Sequence, residues 1–233
     1  MACEVSVITP VYNESKTLEK NIQRIKQALK HVSHEIIIVD DNSPDGSGVI
    51  ADQLSEYDTS IKVLHRPRKL GLGTAYKDGF RLAAGKNIVS MDSDLSHDPS
   101  YLPSMIRTLS NHDIIIGSRL VRGGKIVGRT LTRDLLSISV NTILRLLLRV
   151  KVYDWTSGLR AYRREVWEDI MPEVHCDKWD FQFESLYKAI RKGYTVKEHP
   201  ITFYERAEGD SKFSLREGLV FVQSFIKIIL TLE

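Results

Sequence analysis

The stretch NIVSMDSDLSHDPSYLP, residues 87–103, begins as a short apolar strand and ends in a turn crowded with acidic side chains. Asp92 and Asp94 are separated by one residue, and alternate residues leaving a strand project toward the same side. Two carboxylates near a common point repel each other unless a cation lies between them. Hard divalent ions such as Mg²⁺ and Mn²⁺ favour oxygen ligands, so the spacing indicates a metal site to which the Ser96 hydroxyl contributes. An ordinary turn with helix-capping carboxylates is the alternative interpretation.

The two polar residues that follow in this turn are interpreted as structural. His97 is expected to support the acidic pair through hydrogen bonding and is not counted among the metal ligands. Asp98 precedes Pro99, which is the pattern of a helix N-cap followed by proline at the first helical position. The predicted metal ligands are therefore Asp92, Asp94 and Ser96.

Outward from this stretch, short apolar runs rich in Val and Ile alternate with amphipathic segments. Near-continuous hydrophobicity in a strand means that both of its faces are covered, and alternation with helices is typical of a mostly parallel α/β sheet flanked by helices. Helical spacing is clearest in residues 17–31 and is also expected in 73–84. The predicted strands are EVSVIT (4–9), EIIIVD (35–40), IKVLH (61–65), NIVSMD (87–92) and DIIIGS (113–118).

Length and composition favour one soluble domain over residues 1–233. The chain is 42% hydrophobic and 27% charged, which is enough to bury a sizeable core. A net charge of +3 is compatible with phosphate-bearing ligands and argues against a nucleic-acid partner. Two cysteines, Cys3 and Cys176, do not suggest a disulfide framework, and the N-terminal sequence has no secretory pattern. The expected location is the cytosol or a cytosolic surface.

The pattern of the chain changes after residue 118. Ligands of open parallel sheets bind beyond the carboxyl ends of the strands, so the loops that follow the strands of residues 1–118 are the expected ligand-binding segments. Residues 119–233 are expected to elaborate this sheet. They contain two strongly apolar segments, 134–150 and 215–232, whose uninterrupted apolar runs are shorter than a membrane span. Each segment is predicted to be an amphipathic helix that either packs on the sheet or lies at a membrane surface.

The loops after the strands carry side chains suited to a phosphorylated ligand. Tyr12 can stack on a base, Glu14 can accept hydrogen bonds, and Asp41 can bind a base or ribose, although a capping role for Asp41 is the alternative. Arg119 follows a strand end, and its planar guanidinium suits bidentate phosphate binding. A solvated basic surface is the interpretation adopted for Arg122, Lys125 and Arg129.

Eight segments spread over nearly the whole chain form a recognisable set when taken in order: VITPVYNE, VDDNSPDGS, KLGLGTAY, MDSDLSHDP, GSRLVRGG, TSGLRAYRR, WDFQFE and ERAEGDSK. This set resembles the dolichol-phosphate mannosyltransferases, a family of inverting GT-A polyprenyl-phosphate glycosyltransferases. The resemblance implies mannose transfer from GDP-mannose to dolichyl phosphate, whose product supplies N-glycan, GPI-anchor and O-mannosyl pathways, with nucleotide-sugar binding in residues 1–118 and acceptor binding in residues 119–233. It also implies a Mg²⁺ or Mn²⁺ cofactor, a peripheral position on the cytosolic face of the endoplasmic reticulum membrane, and small membrane-spanning partner subunits.

The same resemblance implies a role for each matching site residue. The residues that match the guanosine pocket are Pro10, Tyr12, Glu14, Val39 and Asp41. Those that match the metal and diphosphate segment are Asp92, Ser93 and Asp94; those that match donor- and phosphate-contacting cations are Arg119, Arg206 and Lys212; and those that match the acceptor-phosphate site are Arg133 and Ser137, with Arg119 also expected there. Asp92, Asp94, Arg119, Arg133 and Lys212 are the expected catalytic set.

Transfer to a phosphate acceptor needs no general base, because a phosphate monoester is already anionic at neutral pH. Glu184, in WDFQFE, stands where other GT-A enzymes place a catalytic base and is the residue that tests this expectation. Three alternatives remain: a dolichyl-phosphate glucosyltransferase using UDP-glucose, a phosphoacceptor receiver domain, and a non-catalytic sugar-nucleotide-binding protein. The receiver domain requires its acidic pair on the first strand, whereas VDDNSPDG follows the second.

Overall fold

The computed structural model describes residues 3–178 and 180–205. Within these residues a seven-stranded sheet has the order β3-β2-β1-β4-β7-β5-β8. All neighbouring pairs are parallel except those of β7, which runs antiparallel to both β4 and β5. The strands are β1 (Val5–Val11), β2 (His34–Asp40), β3 (Ile61–His65), β4 (Asn87–Ser90), β5 (Ile114–Ser118), β6 (Lys125–Val127), β7 (Arg160–Arg163), β8 (Val196–Pro200) and β9 (Thr202–Tyr204).

The five apolar runs predicted as strands form β1 to β5, and the mostly parallel sheet is confirmed. The sequence did not reveal β7 and β8, which complete the far side of the sheet. β7 has the sequence RAYR, whose two arginines are unusual in a strand buried between two others. Arg160 is nonetheless fully buried, because its guanidinium donates to the main-chain oxygens of Trp155, Ser157 and Gln182.

Helices cover both faces of the sheet. Helix α1 shows why: Leu18, Ile22, Ile25 and Leu29 recur at helical spacing and are all buried against the sheet. The helices of the described residues are α1 (Leu18–Ala28), α2 (Ser47–Tyr57), α3 (Leu72–Phe80), α4 (Leu102–Thr108), α5 (Leu131–Leu148), α6 (Arg164–Ile170) and α7 (Phe181–Arg191).

Two hydrophobic cores lie on opposite faces of the sheet, because successive side chains of each strand point to opposite sides. In β2, Ile36 and Ile38 belong to the core under α1 and α4, whereas Ile37 and Val39 belong to the core under α3, α6 and α7. Burial on both faces explains the near-continuous apolar runs in the sequence. Each fully buried aliphatic side chain of this kind contributes about 1.5–3 kcal/mol of transfer free energy.

A second, two-stranded parallel sheet joins β6 to β9. The amide of Tyr204 donates to the main-chain oxygen of Ser96 at 3.0 Å, so β9 also touches the acidic turn after β4. The ring of Phe203 contacts both the His97 ring and the Arg119 guanidinium, and its centroid lies 5.4 Å from each. β9 therefore connects the acidic turn with the basic loop that follows β5.

Helix α5 presents a broad apolar surface to solvent. At about 100° per residue, its exposed apolar side chains fall within roughly half of the circumference, opposite the buried Asn141 and Leu144. The exposed side chains are Leu131, Leu135, Leu136, Ile138, Ile143, Leu146 and Leu147. Among residues 3–178 and 180–205, no helix combines the length and the apolar composition that crossing a bilayer requires. The second predicted amphipathic segment, 215–232, lies outside the described residues.

Candidate active site

The candidate site lies where β1 and β4 end side by side, at the point where the strand order reverses. β1 pairs with β2 on one side and with β4 on the other, and open parallel sheets bind their ligands in the crevice beyond the strand ends at such a position. The hydroxyl of Ser93, after β4, donates to the main-chain oxygen of Pro10, in β1, at 2.8 Å. This bond brings the acidic turn against the end of the first strand.

Asp92 is held by aromatic and imidazole neighbours. The Tyr76 hydroxyl donates to Asp92 Oδ1 at 3.3 Å, and Nδ1 of His97 lies 3.8 Å from Asp92 Oδ2. Burial lowers the pKa of His97 below its usual value, against the opposing effect of Asp92 and Asp94, so the ring is neutral at pH 7. The Asp92 side chain is 18% exposed, which leaves the carboxylate accessible from the crevice. The predicted hydrogen bond from His97 to the acidic pair is not formed at Nδ1, and the ring lies beside Asp92 without bonding to it.

Asp94 is fixed by the turn that follows it. Its Oδ1 atom accepts hydrogen bonds from the amide of Ser96 at 3.1 Å and from the Ser96 hydroxyl at 2.5 Å. Leu95, between them, has a φ of 64°, a left-handed conformation that is strained for a bulky residue and that clusters at functional sites. The two hydrogen bonds from Ser96 hold the Asp94 carboxylate in this turn. Ser96 is almost fully buried and contacts the predicted ion site through Asp94.

The loops after β1 and β2 are joined to each other. The amide of Asn13 donates to Ser43 Oγ at 3.1 Å, and the amide of Glu14 donates to Ser47 Oγ at 2.8 Å. The Tyr12 ring lies beneath the Lys69 ammonium, which is 4.1 Å from the ring centroid. The predicted base-binding residues of the first and second loops therefore share one wall of the crevice, and Lys69 of the third loop adds a positive charge above Tyr12.

Asp41 forms a buried ion pair that sequence reasoning missed. Its carboxylate pairs with the guanidinium of Arg66, which is 3% exposed and also donates to the main-chain oxygen of Gly71 at 2.9 Å. Burial raises the pKa of Asp41 above its usual value, despite the opposing effect of Arg66. Arg66 is signalled in the sequence only by its place directly after β3. Val39 is fully buried in β2, opposite Pro10 in the register, and so supports this wall from behind.

Gly71 allows the third loop to approach another part of the chain. It has a φ of 114°, and a Cβ atom there would lie 2.3 Å from the main-chain oxygen of Asp177. The amide of Gly73 donates to that same oxygen at 2.9 Å. The glycines of KLGLGTAY therefore permit the turn into α3 and also a close contact with the segment before α7.

Arg119, immediately after β5, is oriented by a fully buried carboxylate. Asp154 accepts from the Arg119 amide at 2.9 Å, from Nε at 2.8 Å and from Nη2 at 2.7 Å. Burial opposes the charge of both residues, but their mutual attraction prevails: the pKa of Asp154 falls and that of Arg119 rises from the usual values. The negative charge of Asp92 also raises the pKa of Arg119, so the acidic turn and this arginine attract each other. Asp154 has no recognisable motif and was not predicted.

A cluster of charged residues, here called the basic cluster, lies beside Arg119 and consists of Arg129, Arg133, Asp134 and Glu205. The carboxylate of Glu205 pairs with Arg133 and lies 3.6 Å from Nε of Arg129. The expectation that Arg129 is solvated was wrong, because its side chain is 17% exposed. The expectation was correct for Arg122 and Lys125, which are exposed.

Of the three remaining predicted site residues, only Ser137 lies within the described part of the chain. Ser137 is half-buried in α5, one turn after Arg133, and its main-chain oxygen accepts from the Asn141 side chain at 2.8 Å. Arg206 and Lys212 lie outside the described residues. The structure therefore brings Arg119, Arg133 and Ser137 to one side of the site, and their phosphate contacts stay predictions.

Glu184 is bound on both of its carboxylate oxygens. Oε2 accepts from the amides of His175 at 2.8 Å and Cys176 at 2.7 Å, and Oε1 pairs with Lys188 at 3.2 Å. Burial raises the pKa of Glu184, but the amide donors and Lys188 outweigh burial and the net shift is downward. A carboxylate that is 3% exposed, with a lowered pKa, is poorly suited to act as a general base. Its evident function is to fix the segment before α7.

The oxygen atoms of Asp92 and Asp94 suit a hard divalent ion. Across residues 3–178 and 180–205, no group of three or more His, Cys, Asp or Glu side chains has the geometry of a complete metal site. Two carboxylates from one turn are the donor set from which Mg²⁺ is commonly held when substrate phosphates and water complete its shell. A Cβ at Gly158 would lie 2.9 Å from Asp92 Oδ2, so the chain leaves space beside this oxygen. The residues present therefore fit an ion that is completed by a phosphorylated ligand.

Known proteins support both the fold and the family. The glucosyl-3-phosphoglycerate synthase of Mycobacterium tuberculosis, solved with Mn²⁺, uridine diphosphate and glucosyl-3-phosphoglycerate, superimposes with a TM-score of 0.73 at 19% identity. The superposition covers 98% of this chain and 79% of that one, and it shows the GT-A fold.

Two curated proteins are similar over most of the sequence. The polyprenol monophosphomannose synthase of Mycolicibacterium smegmatis is 42% identical over 91% of this chain and 83% of its own. The undecaprenyl-phosphate mannosyltransferase of Micrococcus luteus is 38% identical over 90% of this chain and 87% of its own. The family model described as Glycosyl transferase family 2 matches residues 6–171. With this match added to the paired carboxylates at the switch point of a GT-A sheet, the chain belongs to glycosyl transferase family 2.

Proposed function

We propose that this glycosyltransferase moves mannose from GDP-mannose to dolichyl phosphate with inversion, giving dolichyl β-mannosyl phosphate. The observation that carries the proposal is that an acidic pair, Asp92 and Asp94, lies close enough to a set of arginines for their charges to interact: Asp92 raises the pKa of Arg119, and Arg119 and Arg133 lower the pKa of Arg129. The names of the two curated relatives, which contain mannose and a polyprenyl carrier, support the sugar and the acceptor class.

On the donor side, the nucleotide is proposed to lie against the wall formed by the first three loops. Tyr12 offers a ring face for the base, and Glu14 and Asp41 offer carboxylate oxygens for its polar groups and the ribose. The diphosphate then reaches Asp92, Ser93 and Asp94 at the end of β4. A divalent ion held by Asp92 and Asp94, with Ser96 as the third proposed ligand, would neutralise the charge that develops on the leaving diphosphate. Arg206 and Lys212 are proposed to contact the donor phosphates from the chain beyond β9.

On the acceptor side, Arg119, Arg133 and Ser137 are proposed to hold the lipid phosphate. Asp154 fixes the Arg119 guanidinium in one orientation, which lowers the entropy lost when a phosphate binds. An acceptor oxygen attacks C1 of mannose while the bond from C1 to the GDP oxygen breaks, and the α linkage becomes β. No proton needs to leave the nucleophile, because the second pKa of a phosphate monoester is about 6. The burial and pairing of Glu184 support this scheme, because a reaction without a general base requires no catalytic role for that residue.

The apolar face of α5 supports a peripheral position on a membrane surface, proposed here as the cytosolic face of the endoplasmic reticulum. Leu131, Leu135 and Leu146 are 80%, 64% and 66% exposed, and water is an unfavourable neighbour for such side chains. Helix α5 begins in the basic cluster, so a lipid whose headgroup reaches that cluster has its chain beside this face. Small membrane-spanning partner subunits are proposed to share the same surface.

The decisive experiment measures transfer from radiolabelled GDP-mannose and from UDP-glucose to dolichyl phosphate, with and without a chelator. We expect transfer from GDP-mannose, loss of transfer with the chelator, and a β-linked product by NMR. Thermal stabilisation by GDP-mannose that requires Mn²⁺ or Mg²⁺ provides a readout independent of turnover. Asp94→Asn is the test variant, and Asp98→Asn is its matched control. Asp98 is an acid of the same turn, but its carboxylate accepts from the Ser100 amide and pairs with Arg24. Transfer from UDP-glucose alone, or no cation-dependent donor binding by folded protein, would refute the proposal.

Membrane attachment is tested separately by flotation of the full chain with liposomes that contain anionic lipid and dolichyl phosphate. Replacing Leu135 and Leu146 together with Glu is expected to abolish flotation, since both lie on the exposed face of α5. Val49→Glu is the matched control, because Val49 is 62% exposed on helix α2, in another part of the molecule. Equal flotation of the three proteins would exclude α5 as the contacting surface.

A further inference from the structure

The guanidinium of Arg129 is the least satisfied charged group of the basic cluster. Its side chain is 17% exposed, and its Nε lies 3.6 Å from Glu205 and 3.8 Å from Asp134, distances that exceed a hydrogen bond. Within the part of the chain that the structure describes, Nε and Nη1 of Arg129 are buried and donate no hydrogen bond. A buried charged donor without hydrogen bonds is costly, and such groups usually face a ligand or an ion.

The electrostatic surroundings of Arg129 also favour an additional anion. Burial lowers the pKa of Arg129 below its usual value, and the nearby charges of Arg119 and Arg133 lower it further. Glu205 and Asp134 act in the opposite direction but do not restore the usual pKa. Arg119 already has a full partner in Asp154, so the group of this cluster that an additional anion would satisfy is Arg129.

Glu205 supplies one carboxylate to both of these arginines. Its main chain is fixed at the end of the small sheet, where the Glu205 amide donates to the Val127 oxygen at 2.8 Å. Its side chain is 23% exposed, so the carboxylate is in contact with solvent as well as with the arginines. A carboxylate has one charge and two oxygens, whereas a phosphate monoester has nearly two charges and three oxygens available for hydrogen bonds.

We propose that Glu205 is an internal counter-ion that occupies the acceptor-phosphate site, that an incoming phosphate monoester displaces it, and that Arg129 is a third arginine of this site. The inference rests on the proposed function for the identity of the lipid. The extra phosphate oxygen gives the buried donors of Arg129 the partner that Glu205 does not reach. Competition with an internal carboxylate favours dianionic monoesters over singly charged diesters. A diester only replaces the single negative charge of Glu205, whereas a monoester replaces that charge and adds a second one.

The test is calorimetric binding of two probes, inorganic phosphate and water-soluble farnesyl phosphate, to the full chain without any donor. Glu205→Gln removes the competing charge, so the affinity should rise about fivefold or more relative to the wild type. We expect this increase for both probes or for farnesyl phosphate alone. Arg129→Ala should weaken binding by about tenfold or more, as expected for loss of a charge-assisted partner. Arg122→Ala, from the same loop but exposed, and Glu168→Gln, an exposed acid elsewhere, should change affinity by less than about twofold.

The pattern across probes identifies the source of the phosphate. Tighter binding of both probes by Glu205→Gln indicates a site for the phosphate group itself, and tighter binding of farnesyl phosphate alone indicates a lipid headgroup; both support the proposal. Unchanged or weaker binding by Glu205→Gln would overturn it, because Glu205 would then be orienting the arginines and not competing with the ligand. Glu205→Ala is the second variant and must shift affinity in the same direction, with thermal unfolding of each variant checked first.

Failure of this inference is distinguishable from failure of the proposed function. If Glu205→Gln binds the probes more tightly but no mannosyl product forms with the wild type, the counter-ion inference stands and the proposed reaction fails. If mannosyl transfer occurs and the KM for dolichyl phosphate is unchanged in Glu205→Gln, the reaction stands and the counter-ion inference fails. The affinity for GDP-mannose should be the same in both proteins, since Glu205 contacts the acceptor side.

Discussion

Replacing Glu184 with glutamine tests whether the chemistry needs a base. The change keeps the shape of the side chain, and the glutamine oxygen can still accept from the amides of His175 and Cys176. It removes the negative charge that pairs with Lys188, in a site where the two side chains are 4% and 9% exposed. Lys188 keeps its contact with the main-chain oxygen of Glu173. The expected loss is therefore one buried ion pair.

The magnitude follows from the burial of that pair. Breaking a buried ion pair by removing one partner costs about 3–5 kcal/mol, and the retained amide bonds place Glu184→Gln near the lower end, at about 3 kcal/mol. For a chain of this length, each kcal/mol corresponds to about 2–4 °C in Tm, so we expect a fall of roughly 6–12 °C. Glu168→Gln, which loses an exposed pair with Arg164 at 3.4 Å, should change stability by less than about 0.5 kcal/mol.

Activity separates a structural glutamate from a base. Assayed well below its unfolding transition, folded Glu184→Gln should keep kcat within about tenfold of the wild type, whereas loss of a general base costs about 10²–10⁴-fold. A fall in kcat of about a hundredfold or more, with folding intact, would refute the reasoning that Glu184 is structural.

The pH dependence of stability checks the same residue. Because the folded-state pKa of Glu184 is lowered, its contribution to stability is present above the unfolded pKa of about 4.3 and is lost as pH falls through the folded value. The difference in Tm between wild type and Glu184→Gln should therefore narrow below about pH 4. A difference that stays constant through this range would contradict the assignment of the lowered pKa to Glu184.

Three further predictions concern the site itself. Asp154→Asn removes the buried carboxylate that pairs with Arg119 and should lower the free energy of unfolding by about 3–5 kcal/mol in urea titrations. Because the pKa of Asp154 is lowered in the folded state, the wild type should lose this contribution only below about pH 4. Asp94→Asn should lower kcat by about a hundredfold or more and remove stabilisation by Mn²⁺ in thermal melts, while apo stability stays close to wild type. Gly158→Ala places a Cβ 2.9 Å from Asp92 Oδ2 and should weaken Mn²⁺-dependent donor binding in calorimetry; unchanged binding would show that the carboxylate has room to move.

Local sequence patterns were sufficient for the central strands and for the acidic turn. The runs that form β1, β2 and β4 are apolar because both faces of each strand are covered, and that property is visible in a short window. Asp92 and Asp94 follow β4 directly, so their placement at the edge of the sheet required only the rule that parallel strands end together. These features depend on neighbours in sequence or on repetitive geometry.

Long-range partners were not visible in the sequence, because nothing local distinguishes them. Asp154 lies 35 residues after Arg119, and no motif marks it as the carboxylate that fixes this arginine. Arg129 looks like a solvated residue of a Gly/Arg-rich loop, but β6 pairs with β9 and this pairing brings Glu205 against it. The antiparallel strand β7 was missed for a related reason: Arg160 contradicts a buried strand until its three main-chain acceptors are known.

The separation of charges along the crevice follows from the chemistry of the proposed reaction. Both reactants are anions, so a site lined by cations alone would bind either one in either place and would not align them. Under the proposed function, the carboxylates after β4 would require a cation before they hold the donor, whereas the arginines after β5 would attract the acceptor phosphate directly. The Phe203 ring contacts both parts of the site, since its centroid lies 5.4 Å from the His97 ring and 5.4 Å from the Arg119 guanidinium. Because β9 carries Phe203 and leads directly into Glu205, one strand contacts the acidic turn and also positions the carboxylate that we propose as the counter-ion of the acceptor site.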